Sequence, residues 1–283
     1  MKAPPPRLYG MVATRAPVAI VFRRGPTDWW MLGRWDLVTG DFEAGAWLRG
    51  RLYPRRSDLS PDGTLLYAFI DRKVTRPYER LRGGPYHAVS KVPWFFALAA
   101  WSECCGTWTR GFHFVEERGS ARTWQIGEPD AGDAAPVRAR YGLAATPVVQ
   151  YAAERRRGWI DDELSPPRDP EGDPWDERRS AVLTKPRPRG GGRLLLEDRG
   201  HDFRGRIEGR RPLYTFEHGE RSIVLRDATW ADWDALGRLL VGTGSGHLEL
   251  RDADEPTLPV LVDHDLSSLQ PAPQPAPAWA TRW

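Results

Sequence analysis

Cysteine is almost absent from this 283-residue chain. The two present, Cys104 and Cys105, are adjacent, so no disulfide framework can be built from them. They read as two small residues at a tight turn rather than as a nucleophile, a ligand pair or a vicinal disulfide. Glu103 beside them disfavours a thiolate. Lysine is scarce as well: Lys2, Lys73, Lys91 and Lys185 stand against 37 arginines. Arginine, alanine, glycine and proline are abundant together, the mark of a high-GC coding sequence, so the net charge of +3 does not by itself name an anionic ligand. Long apolar runs are missing. The longest, VPWFFALAAW at 92–101, falls well short of the ~20 residues needed to cross a bilayer. MKAPPPRLYG at the start has no apolar signal core. A soluble cytoplasmic protein without membrane association is the expectation. No Gly-x-Ser-x-Gly elbow and no His-Glu-x-x-His occurs. GTGSG at 242–246 lies between two strand candidates, without the helix N-terminus that phosphate binding needs. No cofactor is expected.

Aromatics, turns and short apolar runs are plentiful. Fourteen tryptophans can supply a core, each buried aromatic removing ~150–250 Å² from water. Strand candidates follow one another every 8–12 residues: 17–22, the aromatic stretch from 28, 44–53, 64–71, 92–101 and 106–115. RRPLYTFEHGERSIVLRDA at 210–228 reads as a hairpin, with Tyr214 and Phe216 alternating in one strand and Ile223 and Leu225 in the other. VVQYAAERRRGWI at 148–160 reads as a broken strand pair or a short helix. The class is all-β. Moreover, DLSPDGTLLYAF at 58–69 aligns without a gap on DWDALGRLLVGT at 232–243, matching Asp58/Asp232, Gly63/Gly237, Leu65/Leu239 and Leu66/Leu240. Gly63, Gly106, Gly192 and Gly237 are spaced by 43, 86 and 45 residues, the period of a four-stranded propeller blade, ~40–45 residues.

WDLVTGD at 35–41 followed by LSPDGTLLYAF at 59–69 resembles a unit of the WD-repeat and related bacterial β-propellers, on Trp35, Asp36, Thr39, Gly40, Ser60, Pro61, Asp62 and Gly63. The resemblance is best over 28–69 and 210–253. It implies a divergent propeller of about five blades; a β-sandwich plus a small β domain is the alternative. No Gly-His pair precedes the motif, so the Asp–His network of true WD repeats is not implied. The expected layout is a loose N-terminal arm (1–16), a propeller-like domain (17–266) with a charged insertion at 161–193, and a Pro-rich tail (267–283).

The candidate chemistry is sparse. A glycosidase needs two facing carboxylates, about 5–9.5 Å apart. Asp28, Asp71, Asp161, Asp162, Glu217 and Asp227 are available, but their spacing selects no pair. His201–Asp202, His218–Glu220 and Asp263-His264-Asp265 are the local metal candidates, and neighbouring strand residues point to opposite faces, so no metal site is assigned. Residues 161–177 carry eight acids and one base, and 185–211 carry nine bases and four acids. The basic stretch, with Phe203 inside it, suits a nucleic-acid groove; the acidic one could neutralise it instead. Such platforms most often bind proteins through Trp and Arg. The expected function is a non-catalytic scaffold or adaptor subunit of a bacterial multi-protein system. Its binding residues would come from Trp29, Trp30, Arg187, Arg189, Arg193, Arg204, Arg206, Trp279 and Trp283. A glycosidase-like hydrolase with a carboxylate pair at the channel mouth, and a nucleic-acid module at 185–211, are the alternatives.

Overall fold

A computed structural model describes residues 5–71, 84–103, 111–116, 126–147, 151–165, 181–198 and 212–283. The fold is all-β, made of several antiparallel sheets, none closed into a barrel. The chain divides into two compact units: Met1–Val12 with Val148–Leu269 (unit 1), and Ala13–Pro147 with Gln270–Trp283 (unit 2).

Strand β1 (Arg7–Val12) belongs to unit 1. Within the first 16 residues, Arg7–Val12 thus form a regular strand. Past the three prolines, Leu8, Tyr9 and Met11 are buried, and Gly10 leaves room for the Trp230 ring, which would lie 2.4 Å from an added Cβ.

Unit 2 opens with β2 (Val18–Arg24), β3 (Trp29–Asp36) and β4 (Phe42–Arg49), which run as an antiparallel meander. Its β3–β4 turn is built by the Trp-Asp motif. The Asp36 carboxylate accepts the Val38 and Thr39 N–H groups, and the Trp35 indole donates to the Gly40 carbonyl. The next sheet holds β5 (Arg51–Leu52), β6 (Asp58–Leu59), β7 (Leu65–Asp71), β8 (Pro85–Lys91), β9 (Ala99–Ser102) and β11 (Ala131–Gly132). Between β9 and β11 in the chain comes β10 (Phe112–Val115), which pairs with β12 (Gly142–Ala145) across the short helix α1 (Ala135–Arg138). LLYAFID is buried along its whole length, as expected of a strand covered on both faces. Leu65, Tyr67, Val89, Trp101, Val137 and Leu143 form the core.

Unit 1 continues with the short helix α2 (Ala152–Arg155), the shorter of the two readings of 148–160, and β13 (Ile160–Asp161). Two meanders of consecutive strands follow. The first is five-stranded and runs from β13 through β14 (Ala181–Pro186), β15 (Arg193–Asp198), β16 (Leu213–His218) and β17 (Arg221–Leu225). The second runs β18 (Ala228–Trp233), β19 (Leu239–Thr243), β20 (His247–Arg251) and β21 (Val260–Asp265). Alternation decides the faces: Leu194, Leu196, Tyr214 and Phe216 point inward while their neighbours are partly exposed. Phe216 meets Trp233 edge to face at 5.7 Å, and Trp159 meets Tyr214 at 6.2 Å. Each such buried side chain contributes roughly 2–3 kcal/mol. The charged stretch 161–193 is thus an insertion only in part, since Ala181 and Leu183 are core residues of β14.

The aligned segments form the same kind of turn. Gly63 (φ +72°) donates to the Ser60 carbonyl and Gly237 (φ +79°) to the Asp234 carbonyl, each in the left-handed region that favours glycine. Gly192 lies at the β14–β15 turn, where the Arg187 N–H donates to its carbonyl. Gly106, Cys104 and Cys105 lie outside the described residues.

Candidate functional site

The β6–β7 turn, with its Ser-Pro-Asp-Gly sequence, forms one wall of a cleft of about 250 Å³ in unit 2. Asp62, Gly63, Thr64 and Leu65 come from this turn, Val18 from the start of β2 and Arg34 from β3. Lys91 and Val92 come from the end of β8, Arg140 from the turn after α1, and Trp279 from the tail. The cleft thus carries three cations and one carboxylate.

That carboxylate is fully engaged. Asp62 Oδ1 accepts from the Ser60 hydroxyl at 2.6 Å, the Thr64 N–H at 3.1 Å and the Thr64 hydroxyl at 2.9 Å, while Oδ2 takes the Arg140 guanidinium. Burial pushes its pKa up, but these hydrogen bonds, with one from Tyr141, outweigh burial and hold it below the usual carboxylate range. Asp62 is therefore an anion and no general acid. The cations keep donors to spare. Arg34 has one long contact, 3.4 Å to Asp36, whose other oxygen is already spent on the turn. Lys91 uses two of its three N–H donors on the main-chain carbonyls of Trp279 (3.0 Å) and Arg282 (2.7 Å).

Those two bonds fix the tail to its own unit. Ala280 is fully buried, its N–H closing a turn on the Pro277 carbonyl at 2.8 Å. The Trp283 indole donates to the Asp133 carbonyl at 2.7 Å and its ring packs against the unit 2 core. Trp279 is left 49% exposed above the cleft. Of the expected binding residues that are described, Trp279 alone is in its lining.

The others are placed as follows. Trp29 is half-buried, edge-on to Trp47 at 6.5 Å. Trp30 is buried, with the Arg24 guanidinium 5.6 Å from its ring. Arg187 is buried, donating to the Gly237 carbonyl at 2.7 Å and pairing with Asp254 at 2.7 Å. Arg193 pairs with Asp162 at 2.9 Å and Glu217 at 2.8 Å. Arg189 is exposed at the turn between β14 and β15, and Arg204 and Arg206 lie outside the described residues. Together with the Lys185–Asp232 pair at 2.5 Å, the described bases of 185–193 other than Arg189 each face a carboxylate.

The six carboxylates considered for hydrolysis are likewise tied down one by one. Asp28 meets Arg49, Asp71 meets Arg51, and Asp161 takes Arg155 through both oxygens at 2.6 Å. Asp162 and Glu217 share Arg193, and Asp227 accepts from Ser245. Among the described residues, no three His, Cys, Asp or Glu side chains converge as a metal site. Asp263 holds His247 Nδ1 at 2.9 Å.

One buried polar chain was not foreseen. The Tyr67 hydroxyl meets His87 Nδ1, and His87 Nε2 lies 3.0 Å from Glu103 Oε2. His87 stacks on Phe69 and meets Phe112 edge-on. Burial lowers the His87 pKa despite Glu103, and burial raises that of Tyr67 well above its ordinary value. With Tyr67 fully enclosed, the chain ties β7, β8 and the end of β9 together.

No family model matches the chain, and no curated protein does. Among solved structures, hydrazine synthase of Kuenenia stuttgartiensis is similar at 12% identity and a TM-score of 0.34, over 89% of this chain and 78% of that one. A similarity of that size identifies neither a family nor an activity.

Proposed function

We propose that this chain is a divergent WD-repeat-like β-propeller of about five blades that serves as a non-catalytic protein-binding scaffold, an adaptor subunit in a bacterial cytoplasm. The two consecutive antiparallel meanders of unit 1, one of five strands and one of four, and the glycine turn shared by both units support the propeller. The observation that carries the function is Trp279. Its half-exposed indole is held beside Arg34, Lys91 and Arg140 by a tail anchored at Trp279 and at the residues that follow it. Tryptophan and arginine on a preorganised surface are the residue types that dominate protein interfaces, because they bury large area at little entropic cost. The hydrolase alternative finds less support. Among the described residues, the carboxyls displaced from their ordinary pKa, those of Asp36, Asp62, Asp254 and Asp265, all move down, whereas a general acid needs the opposite.

The test is affinity capture of the tagged chain from its host at low and moderate salt, beside a chain truncated after residue 268. A stoichiometric protein that survives moderate salt and is lost on truncation supports the adaptor. Recovery of nucleic acid alone, or of nothing, contradicts it.

A further inference from the structure

Resting on that reading, we infer that the unit 2 cleft recognises a short acidic segment of the partner polypeptide. A carboxylate of this segment would sit between Arg34 and Lys91, and a neighbouring apolar side chain would lie on Trp279. Size comes first. About 250 Å³ is below the range of most small-molecule pockets and holds one or two side chains, so the cleft reads a segment and not a folded surface. Charge comes second. Asp62, the acid among the lining residues, is consumed by its own turn and by Arg140, so it leaves Lys91 and Arg34 to a ligand; Arg34 has its long 3.4 Å contact with Asp36 beside the cleft. Chemistry comes third. The remaining wall is apolar, formed by Val18, Leu65, Val92 and the Trp279 indole, which a free inorganic anion would leave uncovered. A carboxylate beside an apolar side chain covers both. Lys91 already binds peptide carbonyls, since its ammonium donates to those of Trp279 and Arg282 in the turn of the tail. The Arg34 fork can take both oxygens of a carboxylate at once.

Three features keep the site open. Gly63 lines the cleft without a side chain, and an added Cβ would stand 3.1 Å from Val18. The Asp62–Arg140 pair holds the turn as one wall. The tail cannot swing over the cleft while Ala280 and Trp283 stay docked.

The experiment uses the full chain and a fluorescein-labelled peptide, Glu-Asp-Phe-Glu-Asp, followed by anisotropy. Gln-Asn-Phe-Gln-Asn and inorganic tripolyphosphate serve as comparison ligands. We expect saturable binding of the acidic peptide at low salt, at least tenfold weaker in Arg34→Gln/Lys91→Gln and severalfold weaker in Trp279→Ala. Affinity should fall with added salt, and the neutral peptide should not bind. Lys91 also holds the tail, so Arg34→Gln alone, which leaves the tail bonds intact, should weaken binding about fivefold. Equal binding by wild type and Arg34→Gln, equal binding of the neutral peptide, or competition by tripolyphosphate with no effect of Trp279→Ala would each overturn the assignment. Failure here is separable from failure of the scaffold reading. A host partner captured equally by wild type and the double variant overturns the acidic segment and leaves the scaffold standing.

Discussion

Set side by side, the turn of unit 2 at 60–65 and the turn of unit 1 at 234–238 show one local solution in two surroundings. Both close on a left-handed glycine, and both launch a strand whose first two leucines are wholly buried. In both, a side chain does the work of a missing main-chain bond. Ser60 Oγ accepts the Leu65 N–H at 2.9 Å, and Asp234 Oδ1 accepts the Arg238 N–H at 2.8 Å. The differences start one residue away. The unit 2 turn is a residue longer, so Asp58 stands opposite Tyr67 whereas Asp232 stands opposite Leu240. A one-residue slip exchanges the faces of every following side chain. The aligned aspartates are both buried, yet Asp58 is satisfied by a main-chain donor, the Phe114 N–H at 2.8 Å, and Asp232 by the Lys185 ammonium. Aligned residues thus share a local backbone task without sharing a long-range partner.

The largest expected effect separates those aspartates. Asp232→Ala strands the Lys185 ammonium in a largely buried site and should cost about 3–5 kcal/mol. Asp58→Ala strands the Phe114 amide and should cost about 1–3 kcal/mol. Urea unfolding of the two variants measures the difference, and equal losses would break the distinction. The glycines come next. An added Cβ at Gly237 would meet the Pro188 carbonyl at 2.7 Å, a main-chain atom that cannot step aside, while at Gly63 the nearest atom is 3.1 Å away on the Val18 side chain. Gly237→Ala should therefore cost about 2–3 kcal/mol and Gly63→Ala about 1–2 kcal/mol, read by thermal unfolding. Smaller again, Asp234→Ala removes two main-chain acceptor bonds and the Arg238 pair, and Ser60→Ala removes one such bond. The expected losses are about 2 and about 1 kcal/mol by the same measurement.

The smallest effect is in the histidines, where the units have opposite signs. His87 of unit 2 is buried between Tyr67, Phe69 and Phe112, so its folded pKa lies below the ordinary value of about 6.5. Its contribution to stability is present at neutral pH and is lost as pH falls below about 6.5, where the unfolded chain takes up the proton more readily. His247 of unit 1 donates a hydrogen bond to the Asp263 carboxylate, with Asp265 and Glu249 nearby, and its folded pKa is raised. Its contribution is complete below about 6.5 and is lost as pH rises through the folded value. Imidazole resonances followed by NMR should titrate on opposite sides of about 6.5, and a shared midpoint would contradict the contrast.

Local patterns were legible in the sequence and long-range partners were not. Alternation of Tyr214 and Phe216 with Ile223 and Leu225 placed the β16–β17 hairpin, because period 2 is set by the backbone of the strand itself. The glycine alignment found both turns for the same reason. The cleft was invisible because Arg34, Asp62, Lys91, Arg140 and Trp279 are distant in sequence and meet only through sheet pairing. One signal was available. In a chain that uses arginine almost everywhere, a lysine marks a place for a compact ammonium. Lys91 binds two carbonyls of the tail and Lys185 the buried Asp232. A histidine in the apolar strand YHAVS was the corresponding signal for the Tyr67–His87–Glu103 chain. The tail's composition suggested a polyproline end, and what composition could not supply was the groove that buries Ala280.

The units also differ in what they offer a partner. Unit 2 presents the charged cleft with Trp279, while unit 1 presents edge strands β17 and β21 with Val224, Val260 and Leu261 exposed. Amide hydrogen exchange of the chain with and without its captured partner decides between them. The account predicts new protection at 60–65, 91–93 and 279–283. Protection confined to β17 and β21, with the cleft unchanged, would contradict it.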